Sequence, residues 1–230
     1  MSERARRALP WPLFTIDFEA SSLVPGSYPI EVGVARWAAP DRPIGSWSTL
    51  IRPIPLWRTA GSWSAEAEAV HGLRRDELDE GLDPPEVLSA LNRIVGTHAA
   101  FCDGGESDFG WARRLVLAAG FMNTFRMGDV DMLTGRCDAD GFTRMVRWLD
   151  ANPAPHRAGP DAERLMLALA HGFGLKPDVE PLRLEADPME GRSARCNRIW
   201  TDGFSINDPR TREVDDRTGE ISTLTKLSGC

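Results

Sequence analysis

Long apolar runs, paired cysteines and lysine are all scarce in this chain of 230 residues. No stretch of eighteen apolar residues occurs, so the sequence predicts no membrane-spanning helix and no membrane partner. The basic lead is followed by Pro10 and Pro12 rather than by an apolar signal core, which argues against secretion. Lysine occurs only as Lys176 and Lys226, so arginine carries nearly all of the positive charge.

The four cysteines are far apart and form no CxxC pair: Cys102, Cys137, Cys196 and Cys230. This spacing predicts neither a zinc site nor a disulfide framework, and we expect a reducing cytoplasm as the location. Proteins that bind long duplexes through their phosphates are usually basic, whereas this chain has a net charge of −7. The charge therefore predicts a small footprint on nucleic acid, or none.

The chain does contain enough apolar sequence for a core, at 42% of its residues. Its composition predicts a flexible lead over residues 1–11, a packed domain over 12–176 and a polar extension over 177–230. The extension has enough apolar residues between 199 and 206 for one strand, and its order is left open.

Hydrophobic periodicity and turn residues predict an α/β fold with a mixed sheet. Three strands with short connections form an antiparallel meander, followed by an irregular stretch and then by alternating helices and strands. We predict strands at 13–19, 30–37, 47–51, 99–102 and 125–133, irregular chain at 52–85, helices at 87–95, from 108, at 142–149 and from 161, and a loop at 152–160.

Two acids in the first predicted strand are the most informative feature. Side chains alternate along a strand, so Asp17 and Glu19 lie on one face, with Cα atoms about 7 Å apart. Phe14, Ile16 and Phe18 lie on the other face. Two neighbouring carboxylates among apolar residues repel each other and lose solvation, which favours a hard cation between them. The alternative is a strand end whose acids point into water.

A second informative stretch is the loop and helix start that contain His156 and Asp161. The loop leaves His156 able to approach a substrate, while the helix fixes Asp161. Taken singly, such a histidine is usually a surface residue and such an aspartate is usually a helix cap.

Together these stretches resemble the DEDDh 3′–5′ exonucleases of the ribonuclease H-like superfamily. Asp17 and Glu19 match the first motif of that family, Asp-x-Glu, and His156 and Asp161 match the third, His-x-x-x-x-Asp. Residues 28–33 and 70–73 are also similar to family stretches, and the resemblance covers about residues 12–175.

The second motif of the family, one Asp at a helix start, has two candidates here. We prefer Asp108, which heads a helix, and keep Asp103 as the alternative. The sequence departs from the family where Cys102 and Asp103 replace its common His-Asn, and where residues 20–23 replace Thr-Thr-Gly-Leu.

The resemblance implies a ribonuclease H-like sheet of five strands, three antiparallel and then parallel ones, flanked by helices. It implies a metal-dependent 3′–5′ exonuclease, acting on single-stranded DNA or RNA ends to release nucleoside monophosphates. Two Mg²⁺ or Mn²⁺ ions would be the cofactors, and many family members dimerise, which leaves a homodimer open. The implied site residues are His156 as general base, Asp17, Glu19, Asp108 and Asp161 as metal ligands, and Leu23, His71 and Arg157 as substrate contacts.

Two other interpretations remain open. One is a catalytically weak nucleic-acid-binding or polymerase-associated module of the same fold, favoured by the unusual second motif. The other is a structural α/β protein whose acids cluster by chance, which would have no affinity for magnesium or manganese.

Overall fold

A computed structural model describes residues 9–182 and contains one mixed six-stranded sheet with helices on both faces. The strands are β1 (Leu13–Ala20), β2 (Pro29–Trp37), β3 (Ile44–Leu50), β4 (Ala99–Cys102), β5 (Arg126–Asp129) and β6 (Val179–Pro181). The helices are α1 (Pro55–Ala60), α2 (Ala65–His71), α3 (Pro84–Val95), α4 (Glu106–Ala119), α5 (Asp131–Thr134), α6 (Ala139–Ala151) and α7 (Ala158–Gly172), with a 3-10 helix at Glu77–Glu80.

The strand order across the sheet is β5-β4-β1-β2-β3-β6. β1, β2 and β3 pair antiparallel, whereas β4 and β5 run parallel to β1. The predicted α/β class and the order of antiparallel and then parallel strands are therefore confirmed. The sheet has one strand more than the predicted five, because β6 pairs parallel with the outer side of β3.

The alternation along β1 separates two hydrophobic clusters. Phe14, Ile16 and Phe18 point to one side, where they pack with apolar residues of α3 and α4. Leu13 belongs to the other cluster, with residues of α6 and α7. The odd-numbered face of β1, which also carries Asp17 and Glu19, is therefore the face that α7 covers.

Several boundaries differ from the prediction for local reasons. Residues 52–85, predicted to be irregular, contain α1, α2 and the 3-10 helix, which are too short to give a clear periodicity. The last predicted strand ends at Asp129, and α5 follows it. The loop predicted to reach Pro160 ends at Arg157, because proline in the first turn of a helix loses no hydrogen bond.

Packing also extends beyond the predicted domain limits within the described residues. Leu9, which the sequence assigned to a flexible lead, is buried in the cluster with α6 and α7. The strand predicted near residues 199–206 lies outside the described residues. Among residues 9–182, the helices are all too short or too polar to traverse a bilayer.

Candidate active site

The predicted acids come together where β1 and β4 end side by side. These strands are parallel, with Phe14 opposite Ala100 and Thr15 opposite Phe101. Because carboxyl ends of parallel strands meet at one edge of a sheet, Asp17 comes close to the loop that follows β4. The Thr15 hydroxyl donates a hydrogen bond of 2.6 Å to the carbonyl of Ala162, which fixes the N-terminal part of α7 over the same place.

The first group of acids combines the two sequence motifs. One carboxylate oxygen each from Asp17, Glu19 and Asp161 lies within 4.8 Å of the others, and all three side chains are partly exposed. Asp161 is oriented by the backbone N–H of Arg157, which donates to its Oδ2 at 3.0 Å. This bond leaves Oδ1 of Asp161 available to a ligand.

The second group contains both candidates for the remaining aspartate. Oxygens of Asp17, Asp103 and Asp108 also lie within 4.8 Å of one another. Asp108 is only 1% exposed, and its Oδ2 accepts the N–H of Gly104 at 3.0 Å. A Cβ on Gly104 would lie 2.5 Å from that oxygen, so this close approach needs glycine. Asp103 is exposed on the loop after β4.

The crowding of carboxylates is visible in their proton affinities. Burial, together with the charges of Asp108, Glu19, Asp161 and Asp103, raises the pKa of Asp17 to about 9. Burial and the charge of Asp161 raise the pKa of Glu19 to about 7, and burial raises the pKa of Asp108 to about 6. A proton or a cation is therefore needed to relieve this repulsion at neutral pH.

His156 lies on the exposed loop that leads into α7, two residues before the helix begins. Its φ of +57° is in the left-handed region, which residues other than glycine rarely adopt. Strained backbone of this kind is held in place by its surroundings and is often found at functional sites. The loop histidine predicted from sequence thus sits in an unusual conformation next to a rigid helix start.

Arg157 was predicted to contact substrate, but its side chain already has a partner. Its Nε and Nη2 donate to Oε2 and Oε1 of Glu31 at 3.0 and 2.7 Å, and Glu31 is only 3% exposed. Glu31 was not among the site residues predicted from the sequence. The available signal was an acid between apolar residues of a buried strand, where an unpaired charge is costly.

The two other predicted substrate contacts differ in accessibility. Leu23 is 84% exposed in the loop after β1, so its apolar side chain is free to touch a ligand. His71 is 5% exposed, and its Nδ1 accepts the N–H of Leu73 at 3.0 Å. Its Nε2 has no hydrogen-bond partner among residues 9–182. Burial lowers the pKa of His71, so the ring is neutral at pH 7.

The donor set fits a hard divalent cation. Every candidate ligand is a carboxylate oxygen, which is the ligand type that Mg²⁺ and Mn²⁺ prefer. The two groups share Asp17, so one residue touches both candidate positions. A cation would also offset the burial and the repulsion that raise the pKa values of Asp17 and Glu19.

Comparison with known proteins gives matches at the level of structure. No protein-family model and no curated protein matches the sequence. The 3′-exonuclease solved for 3′-end-specific recognition of a histone mRNA stem-loop matches with a TM-score of 0.54 and 13% identity, over 72% of this chain and 65% of that one. A full-length 3′-exonuclease matches with a TM-score of 0.51 and 13% identity, over 72% and 62%.

A third match is E. coli ExoI in a zinc-bound complex with single-stranded DNA. Its TM-score is 0.52 at 12% identity, over 70% of this chain and 40% of that one. The chain thus spans less than two thirds of the length of each of these proteins. At such low identity the likeness concerns the fold, and it confirms that this chain has the fold of 3′-exonucleases, as its sequence motifs predicted.

Proposed function

We propose that this protein is a metal-dependent 3′–5′ exonuclease that hydrolyses phosphodiester bonds at the ends of single-stranded DNA or RNA and releases nucleoside monophosphates. One observation carries the proposal. Two groups of three carboxylates share Asp17, and within each group the oxygens lie within 4.8 Å of one another. The fold shared with 3′-exonucleases supports the reaction class and its direction.

The acids define where cations would bind. Asp17, Glu19 and Asp161 would hold one ion, and Asp17 and Asp108 would hold the other. Bound divalent ions supply positive charge next to the phosphate, which stabilises the attacking and leaving oxygens of an in-line displacement. They also allow an acidic protein to bind a polyanion, because they reverse the local charge.

The protein's own groups then have distinct roles. The N–H groups of Arg157 and Gly104 hold the carboxylates of Asp161 and Asp108, so neither must reorganise when substrate arrives. A ring nitrogen of His156 accepts the proton of the attacking water, which is the role of a general base. The exposed loop gives this ring access to the water.

The loop after β1, which follows Asp17 and Glu19 along the chain, offers apolar surface that suits a chain end. Leu23 presents an apolar side chain against which a terminal base can pack. Trp63 lies nearby in the α1–α2 connection, with its ring centroid 6.3 Å from that of His71. The net charge of −7 favours contact with a few nucleotides over a long phosphate track.

The direct test is degradation of a labelled oligonucleotide with Mg²⁺ or Mn²⁺ and with chelator. A 5′-labelled strand should shorten stepwise while the products are mononucleotides, and chelator should stop the reaction. Parallel reactions with short RNA, long RNA, single-stranded DNA and a duplex with an overhang define the substrate class.

Asp17→Asn is the matched inactive variant, and Asp41→Asn, in the β2–β3 connection, controls for loss of one exposed acid. Cleavage that survives chelator, or that Asp17→Asn leaves intact, would contradict the proposal. Binding of the oligonucleotide without any shortening would also contradict it and would favour a binding module.

A further inference from the structure

Glu31 is the most completely bonded acid near the site, although none of the proposed steps uses it. It lies on β2, directly opposite Glu19 of β1, and its side chain is 3% exposed. It accepts three hydrogen bonds, two from the guanidinium of Arg157 and one of 2.9 Å from the backbone N–H of Ala158. A buried carboxylate with this many donors is fixed in position.

All three donors belong to the start of α7. Arg157 is the residue before the helix, and Ala158 is its first residue. The hydrogen bonds that Glu31 accepts therefore join the middle of the sheet to the segment that carries His156 on one side and Asp161 on the other. The separation in sequence is 126 residues, so the link is purely tertiary.

The backbone of β2 makes the same contact at closer range. A Cβ on Gly33 would lie 2.1 Å from the carbonyl carbon of Ala158, so the helix start rests directly on the strand. A Cβ on Gly159 would lie 2.6 Å from Oγ of Ser48 on β3. Glycines at both positions allow the helix to approach the sheet closely, and Glu31 then fixes its first residue.

The link continues from Arg157 to the metal-binding acid. The backbone N–H of Arg157 donates to Oδ2 of Asp161, while its side chain is held by Glu31. Displacing Arg157 therefore changes both the orientation of Asp161 and the anchor of the neighbouring His156.

We propose that Glu31 is a positioning residue, which acts through Arg157 and the N–H of Ala158 to hold His156 and Asp161 in register with the acids of β1. This inference rests on the proposed function for its catalytic consequence. It also assigns the side chain of Arg157 to the protein interior rather than to a substrate phosphate. A group that only positions others changes turnover more than substrate binding.

The test compares Glu31→Gln, Arg157→Lys and the double variant with Glu163→Gln as the matched control. Glu163 lies on the same helix and also accepts a hydrogen bond from the sheet, from the hydroxyl of Ser46 at 2.7 Å, whereas Arg157 pairs with Glu31. Arg157→Lys keeps a positive charge near Glu31 but cannot form the bidentate pair of hydrogen bonds with its carboxylate. Both substitutions are mild, so folded variants are expected.

We expect Glu31→Gln and Arg157→Lys each to lower kcat by about 10–100-fold, the scale of a small misplacement of catalytic groups, with KM nearly unchanged. Because the two residues act as a unit, the double variant should be no worse than the more damaged single variant. Glu163→Gln should leave both kcat and KM unchanged. A rise in KM at constant kcat for Arg157→Lys would overturn the proposal and return Arg157 to substrate binding.

Hydrogen exchange, followed by NMR in the absence of substrate, supplies a readout independent of activity. Glu31→Gln should accelerate exchange of the Arg157 and Ala158 amides by about 10-fold or more, while amides in β1 keep their rates. Unchanged exchange at these two amides would overturn the positioning role. If the wild-type protein cleaves no oligonucleotide, the proposed function fails, whereas the exchange data still decide whether Glu31 holds this segment.

Discussion

Glu19 and Glu31 face each other across β1 and β2, yet within residues 9–182 only Glu31 forms a salt bridge, with Arg157. Arg157 binds Glu31 through two nitrogens and lowers the pKa of Glu19 only as a secondary effect. One acid of the pair is thus neutralised by the protein, and the other remains for an added cation. The carboxylates of Glu19 and Asp17 therefore repel their acidic neighbours, and a bound cation would reduce this repulsion.

Removing the charge of Asp17, which both acid groups share, should lower activity and raise stability in the absence of metal. Asp17→Asn should lower exonuclease turnover by about 100-fold or more, because charge stabilisation at the reacting phosphate is lost. In chelator the same variant should unfold at a higher temperature than the wild type, because the acid most crowded by its neighbours is gone. Thermal unfolding and oligonucleotide cleavage measure the two effects. Asp41→Asn should change neither, and a destabilised, fully active Asp17→Asn would contradict the assignment.

His156 should affect the rate of cleavage but not the affinity for metal ions. His156→Ala should lower kcat by about 100–10,000-fold, the usual contribution of a general base. Because its ring ligates none of the proposed ions, the affinity for Mn²⁺, measured by calorimetry, should stay within experimental error of the wild type. Normal turnover in this variant would rule out the proton-accepting role, and weakened Mn²⁺ binding would make the ring a ligand.

Stability without metal should depend on pH in an unusual direction. The pKa of Asp17 is raised to about 9 and that of Glu19 to about 7, whereas an unfolded chain has values near 4. The folded protein therefore keeps protons that the unfolded chain loses over this range, so the free energy of unfolding falls as pH rises from about 5 to about 9. In chelator the Tm should be several degrees lower at pH 8.5 than at pH 5.5.

Mn²⁺ should remove most of this difference, since a bound cation replaces the protons. Asp17→Asn in chelator should show a flatter dependence on pH, which makes it the control. A wild-type Tm that rises with pH in chelator would show that the acids are not crowded as described.

The contact between β2 and α7 should be intolerant of a single methyl group. Gly33→Ala places a Cβ against the backbone of Ala158, and overpacking of this kind costs about 1–3 kcal/mol or more of unfolding free energy. Gly110→Ala is the matched control, because a Cβ there meets nothing within 4 Å in α4. Alanine is the better helix former by about 1 kcal/mol, so the control should be stabilised. Chemical denaturation of both variants measures the contrast, and equal stabilities would contradict the close approach.

The two aspartates after β4 should contribute unequally. Asp108 is buried and held by the N–H of Gly104, whereas Asp103 is exposed. Asp108→Asn should therefore lower turnover about as much as Asp17→Asn, by about 100-fold or more, while Asp103→Asn should keep activity within about 10-fold. The same cleavage assay compares them. The reverse order would assign the second motif to Asp103.

The sequence predicted those parts of the fold and of the candidate site that depend on local pattern. Alternation along β1 correctly separated Asp17 and Glu19 from Phe14, Ile16 and Phe18, because strand side chains have a strict period of two. The short helices between residues 52 and 85 were missed because six or seven residues show too little periodicity.

Long-range partners were beyond prediction for a different reason. Glu31 and Arg157 are 126 residues apart, and no local pattern links them. The choice between Asp103 and Asp108 also depends on how the loop folds, since both reach Asp17 in three dimensions. The catalytic roles of these residues stay predictions that the experiments above address.

The short strand β6 covers the edge of β3, so a truncated protein that lacks β6 should behave differently from one that keeps it. The residues that flank it bond to β3: the N–H of Ile44 donates to the carbonyl of Asp178, and the N–H of Leu182 donates to the carbonyl of Ser46, each at 2.8 Å. Truncation at residue 176 would strip these partners and leave β3 as an open edge, the kind of surface through which sheets of separate molecules join and precipitate. Within residues 9–182, Pro181 lies on the outermost strand and cannot donate a backbone hydrogen bond, which makes that edge a poorer template for pairing than an open β3.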